Sequence, residues 1–319
     1  MLHFTRTSGF DHGTRAVSFT LFQGIAQDLG LLVDDDASGA PFSDPQVLDT
    51  YDVIVFSNTS GDAILDAQQR AYFEAWVAGG GHVLGIHAAT DTYRHSTANG
   101  TSTGTWDFYA ELIGGSVQQN PNHVSGTPLY AIQHIGAHAS TADLPDPWAK
   151  NEEYYYWEDG YYGPDNVEVL RVEETIGPNG LVNSYDAPRP MSWYRVLPGG
   201  SRVFYTALGH AADTYTSDTL FRTHIADALA WLLEGSTGME RTSGVTGLTV
   251  FPNPAVDELT LVTDASSTGT PLEMWDVTGR LVMQAMITGE RTDLHLGYLS
   301  SGAYVLRTMH TSMPLRIIR

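Results

Sequence analysis

Three histidines in this chain each stand just behind a stretch that reads as a buried β-strand: His12 after LHFTRTSGF, His87 after HVLGI and His210 after RVFYTAL. Imidazole changes charge near neutral pH, so a histidine beside a carboxylate can pass protons to and from hydroxyls or carbon acids. The same groups, as neutral imidazoles with one carboxylate, make an open zinc-type site. Strand ends in an open parallel α/β sheet converge on one ligand crevice, so His12, His87 and His210 are expected to share a pocket. Asp91, four residues beyond His87, can serve as an acidic partner or equally cap a helix after that strand.

Such a pocket needs a sheet to carry it, and residues 1–234 alternate strand-like and helix-like patterns. Val17, Leu21, Phe22, Ile25 and Leu29 recur at helical spacing behind the first strand, and Gly30 supplies the stop. YDVIVFSN (51–58) is a continuous β-branched run suited to a central parallel strand. Leu65 to Val77 predicts a helix with Phe73, Trp76 and Val77 on one face, ended by Gly79, Gly80 and Gly81. HVLGIH supplies the next strand, RVFYTALGH a late one after the Pro198-Gly199-Gly200 turn, and a last helix is predicted near Phe221 to Leu233. This alternation predicts an α/β fold with a parallel sheet flanked by helices.

The middle is less regular. Residues 96–105 (STANGTSTGT) read as a polar surface loop. Residues 154–162 (YYYWEDGYY) carry six aromatics in nine positions, more than one face of a short strand can bury. They are expected to form a wall on which pyranose rings stack, the alternative being an edge strand packed on the sheet. Tyr156, Trp157, Trp106, Trp193 and Asn58 are the expected substrate-binding residues.

Composition excludes several classes of function. With Lys+Arg 16 against Asp+Glu 37 the formal charge is −21, which repels nucleic acid and anionic membranes. No apolar run approaches the roughly 18 residues of a membrane span. Cysteine is absent, which removes disulfides, thiolate nucleophiles and Cys-ligated zinc together. The opening MLHFTRTSGF shows no signal peptide.

Residues 235–247 (GSTGMERTSGVTG) read as a linker. The segments LTVFPNP, ELTLVTD, LEMWDVTGRLVMQA and GAYVLRTM that follow alternate like strands of a small all-β sandwich at 248–319. Phe251-Pro252-Asn253-Pro254, Asp257-Glu258-Leu259, Trp275-Asp276-Val277-Thr278-Gly279-Arg280-Leu281, Leu299-Ser300-Ser301-Gly302-Ala303-Tyr304 and Arg316-Ile317-Ile318-Arg319 follow one another as in the type IX secretion C-terminal sorting domain of Bacteroidota, which this tail resembles. The resemblance implies passage through the periplasm to the cell surface or medium, with the secretion machinery as partner and an export signal that this N-terminus does not show.

Residues 2 to about 234 resemble the ThuA-like (trehalose-utilisation) family. The likeness is carried by Thr5-Arg6-Thr7-Ser8-Gly9-Phe10-Asp11-His12, Tyr51-Asp52-Val53-Ile54-Val55-Phe56, Gly85-Ile86-His87-Ala88-Ala89-Thr90-Asp91-Thr92, Glu152-Glu153-Tyr154-Tyr155, Pro190-Met191-Ser192-Trp193 and Arg202-Val203-Phe204-Tyr205-Thr206-Ala207-Leu208-Gly209-His210. It implies a flavodoxin-like core of the class I glutamine amidotransferase type and a role in carbohydrate catabolism, often beside enzymes that handle 3-keto-glycosides. Those amidotransferases place a cysteine in a G-x-C-x-G elbow, where this chain reads Gly85-Ile86-His87-Ala88-Ala89, so thiol-dependent glutamine hydrolysis is excluded. No G-x-S-x-G supplies a serine instead.

The expected chemistry is therefore acid–base work on a glycoside or keto-sugar, as hydrolysis, elimination or isomerisation. His87 and His210 are the expected general acid and base, Glu153 a base or orienter with Asp91 as second carboxylate, and His12 with Tyr155 positions hydroxyls. Two alternatives stand beside this. His12, His87 and His210 can ligate a divalent, zinc-type metal in a hydrolase, although no H-E-x-x-H is present; or the domain is a glycan-binding module without catalysis. His95, His123, His134 and His138 receive no role; His123 and His138 fall where the family tends to carry histidines but lack the proline that usually follows.

Overall fold

The chain divides into two compact units, Met1–Leu233 and Glu234–Arg319. The computed structural model describes residues 1–98, 105–157, 160–172, 189–234, 248–263, 268–276, 280–308 and 312–318. Most of the polar 96–105 loop, Glu158 and Asp159, the linker at 235–247, Val277-Thr278-Gly279 and Arg319 lie outside these described residues.

The first unit is built on a nine-stranded sheet. Its strands are β1 (Leu2–Phe4), β2 (Asp34–Asp36), β3 (Val53–Ser57), β4 (His82–Ile86), β5 (Leu129–His134), β6 (Trp148–Asn151), β7 (Val167–Val172), β8 (Pro190–Val196) and β9 (Arg202–Thr206). In space they run β2-β1-β3-β4-β9-β8-β7-β5-β6. The first five pair in parallel, and their order is the flavodoxin-like one, with its ligand crevice outside the carboxyl ends of the strands. Every residue of β3 and β4 is buried, which is why both read as unbroken apolar runs.

Two helices show how the sequence sets its own boundaries. The helix α1 (Arg15–Leu29) closes at Gly30, whose φ of +69° lets its N–H turn back to the carbonyls of Ala26 and Gln27. The helix α2 (Ala67–Ala78) opens with a capping box, Asp66 accepting from the N–H of Gln69 while the Gln69 side chain accepts from that of Asp66. The chain also forms α3 (Asp107–Ile113) and α4 (Thr219–Leu233), the latter burying Phe221, Ile225, Leu229 and Leu232.

The structure corrects the expected fold in three places. The sheet is not wholly parallel: β8 pairs antiparallel with β9, and β7, β5 and β6 continue in that sense. These strands come from the stretch that looked irregular, because β5 is only partly buried and lacks the continuous apolar run of a central strand. The first strand ends at Phe4, not Phe10, because the chain beyond it is tied to the loop after β3. Thr7 bridges Ser60, and the N–H groups of Ser8 and Gly9 both donate to Ser60 O, at 2.8 and 3.2 Å. Lastly, Tyr154, Tyr155, Tyr156 and Trp157 are all buried, so they offer no stacking wall to solvent.

In the second unit β10 (Leu248–Phe251), β11 (Glu258–Thr263), β12 (Pro271–Asp276), β13 (Leu281–Met286), β14 (Arg291–His295), β15 (Gly302–Arg307) and β16 (Ser312–Ile317) form two antiparallel sheets, β10-β11-β14 and β13-β12-β15-β16. Leu259, Leu261, Leu272, Met274, Leu294, Leu306, Leu315 and Ile317 fill their common core. Their alternation with exposed neighbours is the period-2 pattern of strands with one buried face.

Candidate functional site

The parallel strands deliver their following residues to one place through two strained turns. His87, directly after β4, has φ +47°, and Asn58, directly after β3, has φ +52°. A non-glycine residue held there costs of order 1–3 kcal/mol, tolerated where surrounding structure fixes it. Asn58 supplies that fixing. Its Nδ2 lies 2.9–3.0 Å from Thr14 Oγ1, Gly209 O and Tyr215 Oη, and its Oδ1 accepts from Ala88 N at 3.2 Å. Asn58 thus clamps the loops behind β1, β4 and β9 together, and with all its polar atoms engaged it is not placed to bind substrate.

The clamped loops carry the histidines. The rings of His12, His87 and His210 meet edge to face, with centroids 4.8–5.1 Å apart. Glu153 joins them, and the potential ligand atoms of these four residues lie within 4.8 Å of one another. Glu153 Oε2 is 3.3 Å from His87 Nε2 and 3.4 Å from His210 Nδ1, while its Oε1 is 3.0 Å from His123 Nδ1. His87 Nδ1 lies 2.6 Å from the carbonyl of Ala207 and must carry a proton towards it. The Tyr155 hydroxyl is 3.1 Å from His87 Nε2, with its ring stacked on the imidazole at 4.7 Å.

Charges follow from these contacts. Burial works to raise the Glu153 carboxyl, but hydrogen bonds from His123, His210 and His87 outweigh it and hold the group ionised, below the usual carboxylate range. In return the Glu153 hydrogen bond raises both His210 and His123 against their own desolvation. His12 is pushed down to about 3 by burial and then by His87 and His210, which leaves it neutral. Burial, reinforced by the Glu153 charge, drives the Tyr155 phenol well up, so its hydroxyl keeps its proton.

Glu152, given no role by the sequence, anchors the arrangement from behind. Its buried carboxylate accepts from Gly209 N at 2.9 Å, His210 N at 3.2 Å and Glu153 N at 3.2 Å, and Lys150 Nζ stands 3.7 Å away. Backbone contacts leave no mark in sequence; the one available signal was a doubled acid of which only one member can face the pocket. His123 was recognisable only as a family position.

Several expected residues lie elsewhere. Asp91 pairs with Arg94, 2.5 Å away, outside the ligand cluster though its charge still reaches His87 and His123, and it caps no helix among the described residues. Trp106 is packed among Phe73, Tyr93 and Tyr109 and donates to Glu74. Trp157 and Trp193 pack on each other and donate to the carbonyls of Pro190 and Ile113, and Tyr156 is fully buried. Trp157 is core because its ring finds Trp193 on the antiparallel strand β8, and Trp106 because it meets residues of α2 and α3. Phe10, by contrast, is 66% exposed with its ring 4.8 Å from His12.

The sheet, with three strand-end histidines and a carboxylate gathered at the carboxyl ends of its parallel strands, makes the first unit an α/β protein with a flavodoxin-like core. The family described as trehalose utilisation matches residues 1–232, and the secretion system C-terminal sorting domain matches residues 249–314. The chain therefore belongs to the ThuA family and carries a type IX sorting tail, which directs it to the cell surface or the extracellular space. No helix among the described residues is long and apolar enough to cross a membrane. A ThuA-like protein from Bacteroides uniformis is 19% identical with a TM-score of 0.55, over 73% of this chain and 91% of that one. Another, from Parabacteroides merdae, is 17% identical with a TM-score of 0.53, over 76% and 92%. At these identities the likeness is one of fold. A comparison with curated proteins finds no match.

Proposed function

We propose that this secreted protein is a carbohydrate-active enzyme whose reaction centre is the cluster of His12, His87, Glu153 and His210. The observation that carries this reading is the convergence of three imidazoles and one buried carboxylate from four separate loops, on a backbone strained at His87. His210, raised by the ionised Glu153 that orients it, can give and take a proton near neutral pH, and Tyr155 offers a protonated hydroxyl beside the pair. Such groups suit hydrolysis, elimination or isomerisation at a sugar carbon. The sugar assignment is supported by the family's trehalose-utilisation description and by Phe10, an exposed aromatic face at the cluster's rim on which the C–H side of a pyranose can lie.

The test is turnover of a panel comprising trehalose, other glucosides and their 3-keto derivatives, read by chromatography of products. His87→Ala, Glu153→Gln and His210→Ala should each reduce turnover by roughly 10²-fold or more. Binding of sugars without turnover, unchanged by those substitutions, would instead make the domain a glycan-binding module.

A further inference from the structure

Three atoms of the cluster form a nearly equilateral triangle. His87 Nε2 and His210 Nδ1 are 3.2 Å apart, His87 Nε2 and Glu153 Oε2 3.3 Å, and His210 Nδ1 and Glu153 Oε2 3.4 Å. The edge of a tetrahedron is about 1.6 times its centre-to-corner distance, so bonds of about 2.0–2.1 Å, which zinc makes to imidazole and carboxylate, require edges of about 3.3–3.4 Å. An octahedral magnesium ion with bonds of similar length needs edges of about 2.9 Å, and calcium, with longer bonds, takes oxygen ligands. Two nitrogens and one oxygen at this spacing therefore fit a tetrahedral cation of borderline softness.

The surrounding hydrogen bonds agree. With its Nδ1 committed to the Ala207 carbonyl at 2.6 Å, His87 turns Nε2 into the triangle, where an ion would take the place of the contacts that this atom makes with Glu153 and with the Tyr155 hydroxyl at 3.1 Å. A metal-ligating histidine is oriented in this way, its other nitrogen bound to a carbonyl or carboxylate. Glu153 turns one oxygen into the triangle and gives the other to His123 at 3.0 Å, so the second oxygen is also held. His12 Nδ1 is buried with no hydrogen-bond partner among the described residues. An orphaned nitrogen at the rim of a polar cluster calls for a group that is bound in the working protein.

We infer that His87, His210 and Glu153 hold one divalent metal ion of the zinc type, with His12 beside the fourth position, where its free nitrogen would accept from a bound water or sugar hydroxyl. This deepens the proposed function and rests on the same cluster: an ion there would lower the pKa of bound water and supply the nucleophile or base near neutral pH.

The experiment uses the full chain, stripped by dialysis against EDTA and titrated with zinc sulfate by calorimetry, with magnesium chloride as comparison. One zinc per chain at roughly micromolar affinity or tighter is expected, with magnesium much weaker. His87→Ala, His210→Ala and Glu153→Ala should each weaken zinc binding by roughly 100-fold or more, since even outer-shell partners cost 10–100-fold. His95→Ala should leave it unchanged. Should the ligand variants fail to fold, cobalt substitution of the wild-type chain decides the matter: intense visible bands of a tetrahedral ion are expected, and weak octahedral ones overturn the inference. Absence of stoichiometric zinc, or binding that survives both His87→Ala and Glu153→Ala, also overturns it. Sugar turnover that persists after EDTA but is lost in the His87 variant defeats the metal and leaves the enzyme reading intact. Stoichiometric zinc with no turnover of any sugar does the reverse.

Discussion

Removing Glu152 tests whether the pocket is held from behind as described. In Glu152→Ala three backbone N–H groups, of Glu153, Gly209 and His210, lose a buried carboxylate acceptor. Hydrogen bonds to a charged group contribute about 1.5–3 kcal/mol each, but three converging on one carboxylate are not independent. Lys150 retains Asp218 at 2.6 Å, so its charge is not orphaned, and the loss falls in the range for breaking a buried polar network, about 3–5 kcal/mol. With a urea slope of about 2–3 kcal/mol per molar, the unfolding midpoint should fall by roughly 1–2 M, followed by emission of the buried Trp157 and Trp193. Glu152→Gln keeps the volume and one acceptor and should recover about half of that loss. Because two of the N–H groups belong to residues of the cluster, Glu152→Ala should also lower turnover more than it raises KM. A midpoint within about 0.3 M of wild type would show that the loop behind β9 is fixed by other contacts, with Asn58 the remaining anchor.

Other consequences can be checked as directly. Phe10→Ala should raise KM for a glycoside about 5-fold, corresponding to a stacking contribution of about 1 kcal/mol, with kcat little changed, and Phe10→Trp should retain affinity; an equal fall in kcat would place Phe10 in the chemistry instead. Gly61→Ala should destabilise the first unit by about 2 kcal/mol or more, because φ is +82° and the added Cβ would meet Gly9 N at 2.4 Å; an unaltered urea midpoint would contradict the tight apposition of these loops. His224 is fully buried and lowered by burial from 6.5 to about 4. The unfolded chain therefore binds a proton that the native chain refuses, and this histidine's contribution is complete above pH 6.5 and is lost as pH falls through about 4. His123 and His210, both raised, act in the opposite sense, so His224 is isolated by comparing wild type with His224→Gln: the gap in unfolding free energy should narrow by about 2 kcal/mol between pH 7 and 5. A gap independent of pH would mean that the His224 ring titrates normally.

The meeting of His12, His87 and His210 could be anticipated because strand ends in a parallel sheet have one destination, and runs such as YDVIVFSN mark the strands without reference to tertiary contacts. The antiparallel half was hidden because β5 carries Gln133 and His134 and is only partly buried along both faces, so periodicity gave it no distinct signature. The left-handed turn at His87 was equally hidden, since nothing in Gly85-Ile86-His87-Ala88 dictates φ. The part played by Glu152 works through backbone N–H groups, which every residue but proline possesses, and no pattern of side chains records it. Composition identified 154–157 as unusual but could not say which way the rings face.

Their facing inward gives the aromatic stretch a different physical role. Tyr155 stacks on His87, Trp157 lies 6.1 Å behind Tyr155, and Trp193 and Tyr205 close the layer beneath. Rings packed in this way keep water from the underside of the cluster, so the carboxylate of Glu153 sits where its attraction for His210, His123 or a cation is screened far less than at the surface. The same desolvation would raise the Glu153 carboxyl were its partners absent, so a low pKa here requires those partners to remain in place. Replacing Trp157 by Leu therefore acts on charge as well as packing. A cavity at that position admits water beneath Tyr155 and relaxes the desolvation that holds its phenol up, so the tyrosine should titrate lower, read as the difference between ultraviolet titrations of Trp157→Leu with and without Tyr155→Phe, set against the same difference in wild type. An unchanged Tyr155 titration would place the source of its desolvation on the pocket side of the ring.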